Sequence, residues 1–461
     1  MHWIDFGLIA IYLIGILLVG LLGPKARSGS AVDYIIGGRR LTLPAFVATL
    51  VSTWYGGILG VGEFTFRYGI SNWLVFGIPY YIAALLFAFL LARKARRTLF
   101  LTIPDRLNEC YGRHVAGFGA VVLFIVTVPA AYVLILGILA EQYLGLPFAI
   151  GVIVGTIFSV AYLLMGGFSS VVRTDLVQMV LMYLGFGVLF VVLVSGYGGL
   201  DFLRANVPTT HFTWHGGNSG WYIAVWYVLA LATLIEPTFY QRCFAARSES
   251  VARRGIIISV GFWLVFDLLT TACGLYARAL LPSTTDPVAA FPALAQQVLP
   301  VGLNGLFAVA LLATVMSTID SYSFIAASTL GKDIICGWFR QSESRITYYT
   351  RIGLIVTAVS AVLLALYLDS VVDIWHHFGS VATPVLLVPL VSTFVGRRRL
   401  SAGLTMISML LSGIIALFWL LSANWTDSGS YWLGLEPVFP GLALSLLLYF
   451  WRAAPVTRAI T

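Results

Sequence analysis

The sequence predicts an all-α polytopic membrane protein of about 13 transmembrane helices. Three observations carry this. Hydrophobic types make up 60% of the 461 residues and charged types only 10%, where a water-soluble domain carries about 25% charged residues. Thirteen apolar runs follow one another, most of them close to the ~20 residues that cross a bilayer. All but three of the 27 Lys and Arg residues fall on alternate loops.

The runs lie near 5–23, 43–66, 73–92, 115–139, 146–165, 175–197, 219–240, 255–280, 301–330, 347–367, 371–395, 401–422 and 431–451. The loops after the odd-numbered runs, with the C-terminus, hold the basic residues, from Lys25 and Arg27 through Arg93–Arg97 and Arg397–Arg399 to Arg458. Only Arg67, Arg204 and Arg278 fall on the other side. Cytoplasmic loops carry the excess of Lys and Arg, so the N-terminus is expected outside and the C-terminus in the cytoplasm. The net charge of +8 therefore reads as membrane topology, with the lipid bilayer as partner and no nucleic acid. High hydrophobicity excludes disorder. The four cysteines have no metal-like spacing. No nucleophile–base pair, His-rich set or phosphate loop points to an enzyme.

An ionisable residue inside a span is costly and is a functional candidate by default. The candidates are Glu63, Glu141, Asp175, Glu236, Asp267 and Asp320, all acidic, which suits cation handling. The second run contains Ser52-Thr53-Trp54-Tyr55-Gly56-Gly57, where paired glycines weaken a helix. Unwinding there frees carbonyls for a hard cation, although small residues also serve close helix packing. In the seventh run Pro237 follows Glu236, and proline breaks or kinks a helix. The carboxylate then faces a polar cavity or merely satisfies freed backbone groups. In the ninth run Thr314, Ser317, Thr318 and Ser321 share one helical stripe, with Asp320 beside it. Adjacent hydroxyls plus a carbonyl one turn earlier make half of an oxygen cage for Na⁺. The competing reading is back-bonding of Ser and Thr to their own helix.

The broken second and seventh runs are five apart. Inverted-repeat transporters place discontinuous helices at corresponding positions of two halves. The expected division of this single transporter domain is an additional first span at 5–23, a first repeat at 43–197, a second repeat at 219–395 and two additional spans at 401–451.

These motifs resemble those of the sodium:solute symporters, which include the bacterial sodium/proline and sodium/galactose carriers. The resemblance is carried by Gly166-Gly167…Val171…Thr174-Asp175…Gln178, by Met316-Ser317-Thr318-Ile319-Asp320-Ser321 with Lys332-Asp333, and by Pro237…Tyr240-Gln241-Arg242. It implies a leucine-transporter-type inverted repeat over spans 2–6 and 7–11. It also implies sodium-coupled secondary active import of a small polar organic solute by alternating access, in a plasma membrane (a bacterial inner membrane). Na⁺ is then the coupled ion. Its implied ligands are the hydroxyls of Ser317 and Thr318 and the carbonyl of Thr314. Two carbonyls from the second span complete the shell, with Ala48 and Val51 the first choice and Leu50 and Thr53 the second. A further cation site in some relatives matches Asp175, Ser317, Asp320 and Ser321. Glu236 stands where relatives have a substrate-contacting amide. A carboxylate there suggests a solute with an amine or several hydroxyl donors. Tyr55, Gly56, Gly57, Asn72 and Gln142 are further candidates for the substrate cavity, and Trp375, His376 and His377 for an outer gate. The rival reading is a solute-sensing membrane receptor module without net transport, which would be expected with a signalling extension.

Overall fold

The computed structural model describes residues 1–22, 30–368, 371–426 and 429–455, with only the backbone at 371–373. Lys25, Arg27 and Arg458, used in the charge count above, lie outside the described residues.

Each of the thirteen apolar runs is helical. In chain order the helices are α1 (Trp3–Leu21), α2 (Leu43–Trp54), α3 (Ile58–Tyr68), α4 (Trp73–Leu90), α5 (Arg113–Leu144), α6 (Phe148–Gly166) and α7 (Phe168–Tyr197). There follow α8 (Gly220–Ala245), α9 (Glu249–Leu280), α10 (Leu303–Trp338), α11 (Glu343–Tyr367), α12 (Ile374–Val395), α13 (Ala402–Trp425) and α14 (Val438–Arg452). Among the described residues, eleven of these are long and apolar enough to cross a membrane singly. The pair α2 and α3 forms one broken span bent by 58°. The last helix has 15 residues and starts later than the sequence predicts, because Leu433 takes a left-handed conformation and Pro437 precedes the first turn.

The two breaks have local causes. Helix α2 ends at Trp54, and Tyr55 to Gly57 leave helical geometry before α3 begins. In α8 a tight 3₁₀ stretch, Ala230–Ile235, runs into Glu236, whose backbone is extended. Proline lacks an N–H and suits a helix start, so Pro237 opens the second half of α8. Glu236 caps that half by accepting the Thr238 N–H at 3.2 Å.

Helix α10 is the buried axis, with 83% of its apolar window inside the protein. It packs on α7, α1, α11 and α2. Asp5 of α1 accepts the N–H groups of Gly302 and Gly305 at 2.7 and 2.9 Å, which satisfies donors at the start of α10 that have no helical partner. The turn into α7 needs Gly167, which has φ +58° and would drive a Cβ to 2.6 Å from the Tyr34 carbonyl oxygen. Helices α12, α13 and α14 pack together. A two-residue antiparallel pairing joins Arg398–Arg399 to Ala454–Pro455.

Candidate functional site

The end of α2 meets the middle of α10. The last carbonyls of a helix have no intrahelical donor, and the break after Trp54 leaves those of the final α2 turn open. The Thr318 hydroxyl donates to the Thr53 carbonyl at 2.7 Å and lies 3.4 Å from the Thr314 carbonyl. The Ser317 hydroxyl, one residue back, donates to Asp175 at 2.6 Å. Ala48 is different. Its carbonyl sits inside α2 and accepts the Ser52 hydroxyl at 2.9 Å. Thr318 therefore meets the second choice of carbonyl, Thr53, with Leu50 one turn back on the same helix. Ala48 and Val51, the first choice, are not what Thr318 touches. Main-chain carbonyls carry no side-chain signature, which is why the sequence left two pairs open.

Beside this junction lies a fully buried polar network. Asp175 of α7 accepts the hydroxyls of Thr49 and Ser317. Arg242 of α8 has no solvent exposure and lies 3.7 Å from Asp175. Its guanidinium donates to Thr49 and Thr53 at 3.0 Å and to Ser321 at 2.6 Å. Of the four residues expected at a second cation site, Asp175 and Ser321 adjoin a guanidinium, and Ser317 donates to Asp175. The fourth, Asp320, points elsewhere and accepts the Tyr162 hydroxyl, while its Oδ1 is buried without a partner. The sequence reading counted Arg242 with the basic loops. The helix instead continues to Ala245, which carries the guanidinium inward. Thr49, one turn before Thr53, was readable from its place on the same α2 stripe.

A cavity of about 250 Å³ adjoins the two breaks. Thr53, Tyr55, Gly57, Glu236, Asp267 and Trp375 are among its lining residues. Glu236 faces the cavity with Tyr322 beside it. Gly57 lets the backbone approach Trp375, since a Cβ there would lie 1.6 Å from the indole ring. Gly56 faces away from the cavity, against Thr318, where a Cβ would lie 2.4 Å from that side chain. Trp375 and His376 line the cavity, and His376 contacts Glu436 at 2.8 Å.

Asn72 and Gln142 are not among the cavity's lining residues. Asn72 is buried and donates to Thr271 at 3.3 Å, so it bridges α4 to α9. Gln142 is exposed, and its carbonyl accepts the Gln296 side chain at 3.0 Å. Glu63 pairs with Arg67 at 3.0 Å, and Glu141 is exposed. Asp267 was noted in the sequence without a role; it accepts the Tyr81 hydroxyl at the cavity wall.

Several contacts tie the basic end of the molecule together. The Leu41 N–H donates to Ala245, and the Arg247 N–H to Leu41, each at 3.0 Å. Arg39 donates to the carbonyls of Phe244 at 3.3 Å and Phe100 at 3.1 Å. Lys332 pairs with Asp333 at 2.8 Å and with Asp105.

The family model of the sodium:solute symporter family matches residues 34–412. This chain belongs to the sodium:solute symporter family. Membership makes it a sodium-coupled solute symporter, a multi-pass membrane transporter with Na⁺ as the coupling ion. It is 25% identical to the sodium/pantothenate symporter of Escherichia coli (strain K12), over 95% of this chain and 94% of that one. It is 24% identical to sodium/proline symporter 2 of Staphylococcus saprophyticus, over 96% and 91%. A Na⁺-coupled sialic acid symporter in its substrate-bound outward-open state superposes with TM-score 0.80 and 18% identity, covering 99% of this symporter and 100% of that chain. MhsT in complex with L-phenylalanine gives TM-score 0.54 and 14% identity over 88% of this symporter and 97% of that chain. These likenesses give this symporter the leucine-transporter-type fold that the family resemblance implied.

Proposed function

We propose that the protein imports a small polar organic solute by alternating access, with Na⁺ bound at the junction of α2 and α10. The ligands are the hydroxyls of Ser317 and Thr318 and the carbonyls of Thr314, Leu50 and Thr53. The observation that carries this is the Thr318 hydroxyl, which lies near carbonyls of both helices. Donors of this kind, all neutral oxygens, suit a hard monovalent cation. The solute occupies the adjoining cavity, in contact with Glu236, Tyr55 and Gly57. Relatives named for proline and pantothenate do not fix the solute, because a carboxylate at Glu236 alters the cavity's charge.

Na⁺ arriving from outside ties α2 to α10 and orders the cavity. Solute then allows the outer side to close and the basic end to open. Each inward Na⁺ gains about 2.3 kcal/mol per 100 mV of membrane potential. Coupling of about 1–3 kcal/mol between ion and solute is ordinary and is reciprocal. The basic face is cytoplasmic, the N-terminus is outside, and the membrane is the plasma membrane, a bacterial inner membrane. Residues 43–197 and 219–395 form the two inverted repeats, with the spans at 5–23 and 401–451 added to them.

In this conformation Arg242 supplies the positive charge beside Asp175. A second ion or a proton belongs with Asp320, whose buried Oδ1 has no partner. Asp320→Asn is expected to lower the number of cations carried per solute; an unchanged stoichiometry in proteoliposomes refutes that role.

The central test is thermal unfolding of the purified protein in NaCl against KCl at equal ionic strength. Saturable Na⁺ stabilisation is expected, about 2.7 kcal/mol at 100 times the Kd. It should vanish when Ser317 and Thr318 are both replaced by alanine. Identical stability in the two salts overturns the site.

A further inference from the structure

We propose that the solute is an organic cation, a protonated or quaternary amine held between Glu236 and Asp267 in an aromatic chamber. This rests on the symporter reading above and narrows its substrate class. Both carboxylates line the one cavity of about 250 Å³, and its lining contains no Lys or Arg. The short-range polar contacts of each are with neutral groups: Glu236 with Thr238 and Tyr322, Asp267 with Tyr81 and Tyr55. Among the described residues neither has an ion-pair partner within 4.0 Å. Arg242, the buried cation in α8, acts on Glu236 only from beyond ion-pair distance, because its direct contacts go to Asp175, Thr49, Thr53 and Ser321.

A buried carboxylate without a counter-charge is costly. A ligand that brings a positive charge removes that cost. One that brings a third negative charge adds to it, and a neutral polyol leaves it in place. The walls agree with this. Trp54, Tyr80, Tyr132, Trp226 and Trp375 all line the chamber, and aromatic faces attract ammonium groups, most strongly where water is excluded. Tyr132 and Trp375 lie with ring centroids 6.0 Å apart, and Tyr132 and Tyr322 5.5 Å apart. A further polar group on the ligand has a waiting partner. Thr383 lines the same cavity, is fully buried, and its hydroxyl has no hydrogen-bond partner.

The test uses the purified full-length protein in NaCl and in KCl, with choline, ethanolamine and putrescine as cationic probes. Glucose is the neutral probe, proline the zwitterion and pantothenate the anion. At least one amine is expected to raise the melting temperature in NaCl and not in KCl, with no response to pantothenate or glucose. Glu236→Gln and Asp267→Asn, each checked for a single symmetric gel-filtration peak, should weaken that amine's apparent affinity by about 30-fold or more. Stabilisation by pantothenate or glucose overturns the proposal. So does a Na⁺-stabilised protein that answers to no amine, and so does undiminished amine binding in both variants. Amine binding that ignores Na⁺ keeps the substrate class and removes the symporter mechanism beneath it, so the two failures are distinct.

Discussion

Thr318 donates its hydroxyl to the main-chain carbonyl of Thr53, 265 positions away, at 2.7 Å. Two helices from different halves of the chain thereby meet oxygen to oxygen, next to the Arg242 guanidinium that bridges Thr53 and Ser321. An alkali ion at the proposed site would bridge the same atoms, so the junction's strength would depend on the ion. Thr318→Ala and Ser317→Ala should each weaken the apparent Na⁺ affinity by about tenfold or more, the worth of one or two lost polar ligands. Thr318→Ser, which keeps the hydroxyl, should stay near wild type. Na⁺ titrations of transport in proteoliposomes measure both; equal Na⁺ affinity in Thr318→Ala and wild type contradicts the assignment.

The two glycines at the break should separate ion from solute. A Cβ at Gly56 would press on Thr318 at 2.4 Å, and one at Gly57 on Trp375 at 1.6 Å. Gly56→Ala is expected to raise the Na⁺ concentration needed for half-maximal transport. Gly57→Ala should raise the KM for solute with a smaller change in Na⁺ dependence. Identical kinetic defects in the two variants would mean that both merely block refolding of the break.

Arg242 and Asp175 form a pair with no solvent exposure on either side chain. Removing one partner of such a pair leaves an uncompensated buried charge, which costs about 3–5 kcal/mol. Arg242→Gln should therefore lower the melting temperature sharply. Adding Asp175→Asn to the same chain should recover most of the loss, the coupling expected of residues in one network. Additive losses in the double variant would show that the two side chains act independently.

The membrane architecture was legible because hydropathy is summed over ~20 residues, so each run announces itself whatever its partners. The breaks were legible too, since Gly56-Gly57 and Glu236-Pro237 violate helix chemistry at single positions. Registers between spans were not. Nothing in the sequence says that Thr53 rather than Ala48 offers its carbonyl to Thr318, because the two carbonyls are chemically identical. Arg242 stood in a recognised motif, yet its burial depends on α8 running on to Ala245 and on acceptors from α2 and α10. Asn72 and Gln142 fail for a like reason. Asn72 spends its amide on Thr271 and Gln142 is exposed, and both placements depend on how the spans pack.

The basic end carries a pH-dependent clamp centred on Asp105, which lies in the short helix Ile103–Tyr111. Burial pushes its carboxyl up, but Lys332 and the N–H groups of Leu101 and Thr102 outweigh that and hold it below the ordinary carboxylate range. A depressed pKa in the folded state means stability that is fully present above the unfolded value, about 3.9. It is lost as pH falls through the lower folded value. Asp105→Asn should cost about 1.5–3 kcal/mol at pH 7, the range for hydrogen bonds to a charged group. The gap between variant and wild type should begin to narrow below about pH 4, where the unfolded carboxyl takes up its proton, and close only below the lower folded value, where the native carboxyl is neutral too. Melting curves of both proteins between pH 7 and pH 3 decide this. A gap of constant size across that range would mean that Asp105 contributes through packing, and that the charge on Lys332 is balanced by Asp333 alone.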